Sequence, residues 1–257
     1  MNIGVISYAF NRQMKAGTVD LFGYLETCRY RYRLSTADIW NGMLISLEDD
    51  YLAKVKDGLE ERELTLVNLA VDGAHIWEDD PALRDEHHRR ALANLHAAEV
   101  LGAKTVRIDA GSRREAWTPE EFDHIVMRYR EYARRAEEHG YRIGPENHWG
   151  PERFPAELLR LCAAVDSPAF GILLHFERWS GEDAARGDEL LAPYTMHTHI
   201  PSTLGDRLPA KMAMLRDTGY RGCWSVELVA DNYTEVGVML ARIRNVLESW
   251  RQRGDHV

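Results

Sequence analysis

The sequence predicts a single (β/α)₈ barrel, on three observations. Short β-rich runs alternate with amphipathic helical runs along the whole chain, and the series closes at eight units. The length, 257 residues, suits eight such units in one large α/β domain. No GxGxxG or GxxxxGK[ST] segment follows an early strand, which argues against the competing open, doubly wound sheet. No linker, low-complexity run or break in composition divides the chain, so residues 1–257 are assigned to one domain.

In chain order, NIGVISYAF reads as the first strand and VDLFGYLETCRYRYRL as its helix. ADIWN then precedes DDYLAKVKDGLEERE, and LTLVNLAVDG precedes LRDEHHRRALANLHAAEVLG. KTVRIDAG leads into TPEEFDHIVMRYREYARRAEEHG. That helix opens on Thr118 and Pro119 with an acidic first turn and stops at Gly140, as helix ends prefer. YRIGPENHW with PAELLRLCAAVDS, and AFGILLHFE with EDAARGDELLAP, make units five and six. YTMHTHIP with LPAKMAMLRDTG, and GCWSVELV with NYTEVGVMLARIRNVLESWRQR, complete the eight. The tail RQRGDHV is expected to fray.

Bulk properties narrow the function. Hydrophobic residues at 45% and charged residues at 28% suit a soluble globular domain with a sizeable core. A formal net charge of −9 argues against nucleic-acid and anionic-membrane partners, both of which need a basic footprint. Cys28, Cys162 and Cys223 are far apart and show no CxxC spacing. A disulfide framework or thiolate zinc site is therefore not expected, and a reducing, cytoplasmic compartment is. MNIGVISYAF carries no signal-peptide pattern, and no window approaches the ~20 apolar residues of a membrane span.

Barrel enzymes carry their chemistry at the C-terminal ends of the strands. The first four ends offer Tyr8, then Trp40 and Asn41, then Asp72 with His75, then Arg107 and Asp109. The last four differ in kind, offering Glu146 and His148, then His175, then His197 and His199, then Glu227. Residues two apart on a strand share a face, so Glu146 with His148, and His197 with His199, can point inward together. Any one of these has a plain structural reading. Glu146 alone could cap a helix, and Glu227 alone could pair with Arg107. Four adjacent strand ends bearing carboxylates and imidazoles are costly to bury unless a cation joins them. Mixed nitrogen and oxygen donors suit Mn²⁺, Zn²⁺, Co²⁺ or Fe²⁺ better than Ca²⁺. His87, His88, His96, His124 and His139 fall in helical runs and are expected on the solvated faces.

In PENHWG, MHTHI and WSVEL, and more loosely over essentially the whole chain, the sequence resembles the xylose-isomerase-like TIM barrels of the sugar phosphate isomerase/epimerase superfamily. That resemblance implies one divalent metal, Mn²⁺ foremost, held by Glu146, His175, His199 and Glu227. His197 would then lie behind the ligands or face the substrate. The implied reaction removes a proton beside the carbonyl of a keto sugar, with Glu146 and Glu227 or His148 moving protons. Trp40, Trp77, Trp149 and Trp179 could stack on a sugar or aglycone, or simply close the barrel top. Asp72, Arg107 and Arg178 are further candidate substrate contacts, although a structural salt bridge explains the arginines equally well. The chain departs from the family pattern at His175, where Asp is usual, and at Arg178, where relatives often have His.

Two other readings follow from the same residues. Catalytic subunits of bacterial C-glycoside deglycosidases also carry an ENH-like segment, act on 3-keto glycosides and pair with a small subunit. In that reading His148 starts a β-elimination, making the protein a lyase. A homo-oligomer or a complex with such a subunit is expected accordingly. Alternatively, His175 in place of Asp marks a barrel that has lost activity and serves as a binding module. Apurinic-site endonucleases share the fold, but the acidic balance disfavours a DNA surface.

Overall fold

A computed structural model describes residues 2–254. Among them, eight strands run parallel: β1 (Ile3–Val5), β2 (Thr36–Trp40), β3 (Thr65–Val71), β4 (Thr105–Ile108), β5 (Arg142–Gly144), β6 (Ile172–His175), β7 (Thr195–Pro201) and β8 (Trp224–Glu227). A helix follows each: α1 (Leu21–Glu26), α2 (Asp49–Glu61), α3 (Pro81–Leu101), α4 (Pro119–His139), α5 (Pro155–Val165), α6 (Gly187–Leu191), α7 (Leu208–Asp217) and α8 (Tyr233–Gln252). The chain is a (β/α)₈ TIM barrel, as the alternation predicts. Its strands are buried almost continuously along their length, because helices cover the outer face and side chains fill the inner one.

Ladder pairing runs β2-β3-β4-β5 on one side and β6-β7-β8-β1 on the other. Two seams close the ring, and each has only isolated backbone bridges. Ile6 meets Asp38 between β1 and β2, while Ile143 meets Phe170 and Glu146 meets Leu173 between β5 and β6. Side chains supply what the ladders lack. At the first seam the Thr36 hydroxyl donates to the Ile3 carbonyl at 2.6 Å, and the Asp38 amide donates to the Tyr24 hydroxyl at 2.8 Å. At the second, Asn147 acts as a peptide surrogate: its amide donates to the His175 carbonyl at 2.8 Å and accepts from the His175 N–H at 2.7 Å. The backbones there approach so closely that a Cβ on Gly144 would lie 1.7 Å from the Gly171 carbonyl oxygen. Only glycine fits.

Local signals place several boundaries. Thr118 and Glu121 form a reciprocal capping box at the start of α4, Pro119 occupies its first turn, and Gly140 ends it at φ +75°. The first strand is shorter than expected. After Val5 the chain turns into a 3₁₀ segment, Ser7–Phe10, and Ser7 accepts the Trp40 N–H at 2.9 Å, which folds this segment over the end of β2. His87 corrects the expectation of a solvated position. The inward stripe of α3 runs through His87, Ala91, Leu95 and Ala98, and all four are buried. In the tail, Arg251 and Gln252 continue α8, whereas 255–257 lie outside the described residues. No described helix is long and apolar enough to cross a membrane.

Candidate active site

Strand register brings the histidines and carboxylates together. His175 on β6 lies directly opposite His199 on β7, and Glu227 on β8 lies opposite Pro201, two residues further along β7. The His175 Nε2 sits 3.3 Å from Glu227 Oε2, and the His199 Nδ1 sits 3.1 Å from that same oxygen and 3.5 Å from Glu146 Oε1. Two donors bonded to one metal at about 2.1 Å stand roughly 3.0–3.4 Å apart, so these separations match edges of a coordination polyhedron.

The imidazoles are oriented for ligation. His175 Nδ1 faces the Phe176 carbonyl at 3.2 Å, and a carbonyl only accepts, so the proton belongs on Nδ1 and the Nε2 lone pair faces Glu227. Burial pulls the His175 imidazole down to about 4, against the pull of Glu227 and Glu146, so it is neutral at pH 7. His199 turns Nε2 toward Asp38 at 3.3 Å and presents Nδ1 to the glutamates. Burial works against its charge, but Glu227, Glu146 and Asp38 outweigh burial and push it well above the ordinary histidine value. Neither His199 nitrogen has an aligned hydrogen-bond partner, nor does Glu227 Oε2, although all are buried. A buried imidazole ringed by carboxylates attracts a cation, and this donor set fits a divalent one.

Asp38 fixes that geometry from across the barrel, and sequence reading passed over it. Its carboxylate accepts from the Ser225 hydroxyl at 2.6 Å and the Asn68 amide at 2.9 Å, and it meets His197 Nε2 at 2.8 Å. Burial opposes its charge, but His197 and His199 hold the carboxyl well below the usual range. An acid in mid-strand, between Ala37 and Ile39, is the signal that could have found it, since a buried charge needs partners. Asp38→Ala leaves His197, Ser225 and Asn68 without that acceptor and is expected to lower stability by about 3–5 kcal/mol in urea denaturation. Because the folded carboxyl titrates below its unfolded value of about 3.9, its contribution is present above that pH and disappears as pH falls through the lower folded value.

Asp109 organises the ENHW segment. One oxygen accepts the Glu146 N–H at 3.1 Å; the other meets His148 Nδ1 at 3.1 Å, the Trp149 indole N–H at 3.0 Å and Arg107 Nη1 at 3.2 Å. Trp149 also stacks on His148, with centroids 4.1 Å apart. Burial lowers the His148 basicity, but the bond with Asp109 and the charge of Glu146 outweigh it and raise it above the ordinary value. Glu146 itself is 1% exposed, between Arg178 Nη1 at 3.0 Å and Arg107 Nε at 3.5 Å. Burial and Glu227 raise its carboxyl, yet His199 and His148 outweigh them and hold it below the ordinary range. Glu152, buried behind this cluster, accepts the Ala110 N–H, and burial and Asp109 push its carboxyl well above the usual range.

A cavity of about 680 Å³ opens over this centre, and Trp40, Asp72, Arg107, His148, Trp149, His175, Arg178 and Glu227 all line it. Trp40 and Arg107 are braced on Asp72, at 2.7 Å each. Glu146 and His199 sit below its floor. Three candidates are placed elsewhere. Trp179 is buried against Gly187 and donates to Asp188 at 2.7 Å, which places it in packing at the barrel top and outside the residues that line the cavity. His197 is 1% exposed and bound to Asp38, behind the ligand positions and away from the cavity. Trp77 lines a neighbouring cavity instead.

The family model for xylose isomerase-like TIM barrels matches residues 34–252, and the chain belongs to that family. Among solved structures, it is similar to a 3-keto-D-glucoside 4-epimerase from E. coli (18% identity, 95% of this chain and 99% of that one, TM-score 0.74). It is equally similar to a D-tagatose 3-epimerase-like protein (18% identity, 98% and 99% covered, TM-score 0.75). A xylose isomerase-like TIM barrel protein from Mycobacterium smegmatis, solved in complex with magnesium, aligns at 15% identity over 96% and 97% (TM-score 0.75). At these identities the likeness is one of fold. No curated protein sequence matches the chain.

Proposed function

We propose that the protein is a divalent-metal-dependent enzyme of the sugar isomerase/epimerase type, removing a proton next to the carbonyl of a keto sugar. The observation that carries this reading is the convergence of Glu146, His175, His199 and Glu227 beneath a cavity whose wall holds an Asp109-braced imidazole. A metal held by those four residues, Mn²⁺ or a nitrogen-tolerant ion such as Zn²⁺, Co²⁺ or Fe²⁺, would stabilise negative charge developing on the carbonyl oxygen. The protein's own groups do the rest. His148 lines the cavity and takes the proton from carbon, and the C–H electrons move toward the carbonyl. Glu227, also on the cavity wall but three strands away, is held ionised against burial by His199 and His175, so it returns a proton from another direction only after taking one from solvent in the cavity. Glu146 does not line the cavity, which suits a ligand better than a proton carrier. Trp40 and Trp149 offer ring faces to a sugar, while Asp72 and Arg178 offer polar contacts.

A second reading, cleavage of 3-keto C-glycosides by β-elimination, is favoured by one observation. A further cavity of about 730 Å³ lies beyond Trp149 and gives room for an aglycone. A small partner subunit belongs to that reading, and a homo-oligomer to either. The three cysteines are free and buried, in keeping with a cytoplasmic setting. Elemental analysis of purified protein tests the shared premise. About one transition metal per chain is expected, and a protein that neither holds nor takes up Mn²⁺ would leave the barrel as a binding module. Solvent deuterium exchange into free ketoses then supports the isomerase, and release of an aglycone from a 3-keto glycoside the lyase.

The imidazole at His175 predicts metal preference. Compared with a carboxylate it removes one negative charge and favours nitrogen-loving ions. His175→Asp is expected to shift the Zn²⁺-to-Mn²⁺ affinity ratio toward Mn²⁺ by on the order of tenfold, read by competitive titration calorimetry.

A further inference from the structure

We infer that His75, Glu78 and His87 form a second divalent-cation site, separate from the centre beneath the reaction cavity. His75 lies in the loop after β3, Glu78 three residues on, and His87 in the second turn of α3, where the helix faces inward. The His75 Nδ1 is 3.4 Å from Glu78 Oε1, and the His87 Nδ1 is 3.5 Å from that oxygen and 3.2 Å from the His75 backbone carbonyl. These separations resemble those at the Glu146 centre and suit edges of a coordination polyhedron with bonds of about 2.1 Å, and the three side-chain donors all lie within 4.8 Å of one another. The imidazole rings meet edge to face at 90°, with centroids 5.8 Å apart.

The arrangement is underused as hydrogen bonding. His87 Nδ1 faces two acceptors, the carbonyl and the carboxylate, and one ring proton serves only one of them. A divalent cation serves both and engages His75 as well. Two imidazole nitrogens, one carboxylate and one carbonyl form the mixed set preferred by Zn²⁺ or Co²⁺ over Mg²⁺ or Ca²⁺. His75 and Glu78 line the cavity beyond Trp149, beside Asp79 and Asp80, so an ion there meets water or an oxygen-bearing ligand on that side. The His75 ring also packs edge-on to Trp149, with centroids 5.8 Å apart, so the site shares that indole as a neighbour with His148. It shares no ligand with the Glu146 centre, so the two sites stand or fall separately.

The test is Co²⁺ uptake by metal-stripped full-length protein, measured by equilibrium dialysis with d–d absorption. The wild type is expected to take up about two equivalents, and Glu78→Gln, His87→Ala and Glu146→Gln about one each. Glu78→Gln keeps the side-chain volume at a partly exposed position, so it remains informative if His87→Ala fails to fold. Unchanged Co²⁺ uptake in Glu78→Gln overturns the site. A single equivalent lost in Glu78→Gln but kept in Glu146→Gln supports this site and counts against the metal at the catalytic one.

Discussion

On the proposed metal-dependent mechanism, Glu146→Gln is expected to abolish metal binding at this centre and to lower kcat/KM by at least on the order of 10²–10³-fold. The substitution keeps size and leaves an oxygen for Arg178, so packing changes little. What disappears is a full negative charge at a point 3.5 Å from His199 Nδ1 and 1% exposed, where no solvent can replace it. Arg107 and Arg178 then face one fewer carboxylate, and the attraction of the centre for a cation weakens, although Glu227 and Asp38 still face His199. Metal content by elemental analysis and kcat/KM on an active substrate are measured on the same preparation. Retention of both would dismiss Glu146 as a ligand and send attention to the Asp38, His197 and His199 cluster, whose three donors also lie within ligation distance of one another.

Periodicity made the barrel readable, because every unit repeats the same switch from two-residue to roughly four-residue spacing. Once the barrel is granted, the last four strand ends offer Glu146, His148, His175, His197, His199 and Glu227 without any structure, since inward direction follows from alternation, and only the family resemblance prefers His199 to His197 as a ligand. Contacts that depend on closure of the ring were not readable. Asp38 and His197 are 159 residues apart and meet only because β2 and β7 face one another across the interior. Asn147 was conspicuous in the sequence but mute about its role, which exists because β5 and β6 lack a full ladder. For Trp179 the sequence left stacking and packing open, and the backbone decides where the ring lies. Glu177 adopts φ +60°, and this left-handed step accompanies the turn of the loop that puts the indole on Gly187. His87 was misplaced because the first large apolar residue on the inward stripe of α3 is Leu95, and only the small Ala91 continues the stripe back toward His87.

His148→Ala is expected to lower kcat by about 10²–10⁴-fold while leaving metal content unchanged, and added imidazole should restore part of the rate. The separation of rate from metal is the informative part. His148 lines the cavity and is bound to Asp109 but lies 4.0 Å from Glu146, outside the group of closest donors. Asp109 acts through it as a positioning residue, and a pH profile can tell that role from a merely structural one. A base works unprotonated, so the acid limb of kcat/KM reports the His148 pKa, which Asp109 holds above the ordinary value of about 6.5. Asp109→Asn withdraws the charge that stabilises the imidazolium, so the limb is expected to move to lower pH even as the maximal rate falls. If the rate falls with the limb unmoved, Asp109 only holds the loop, and the proton is taken by another group, with Glu227 the next candidate on the cavity wall.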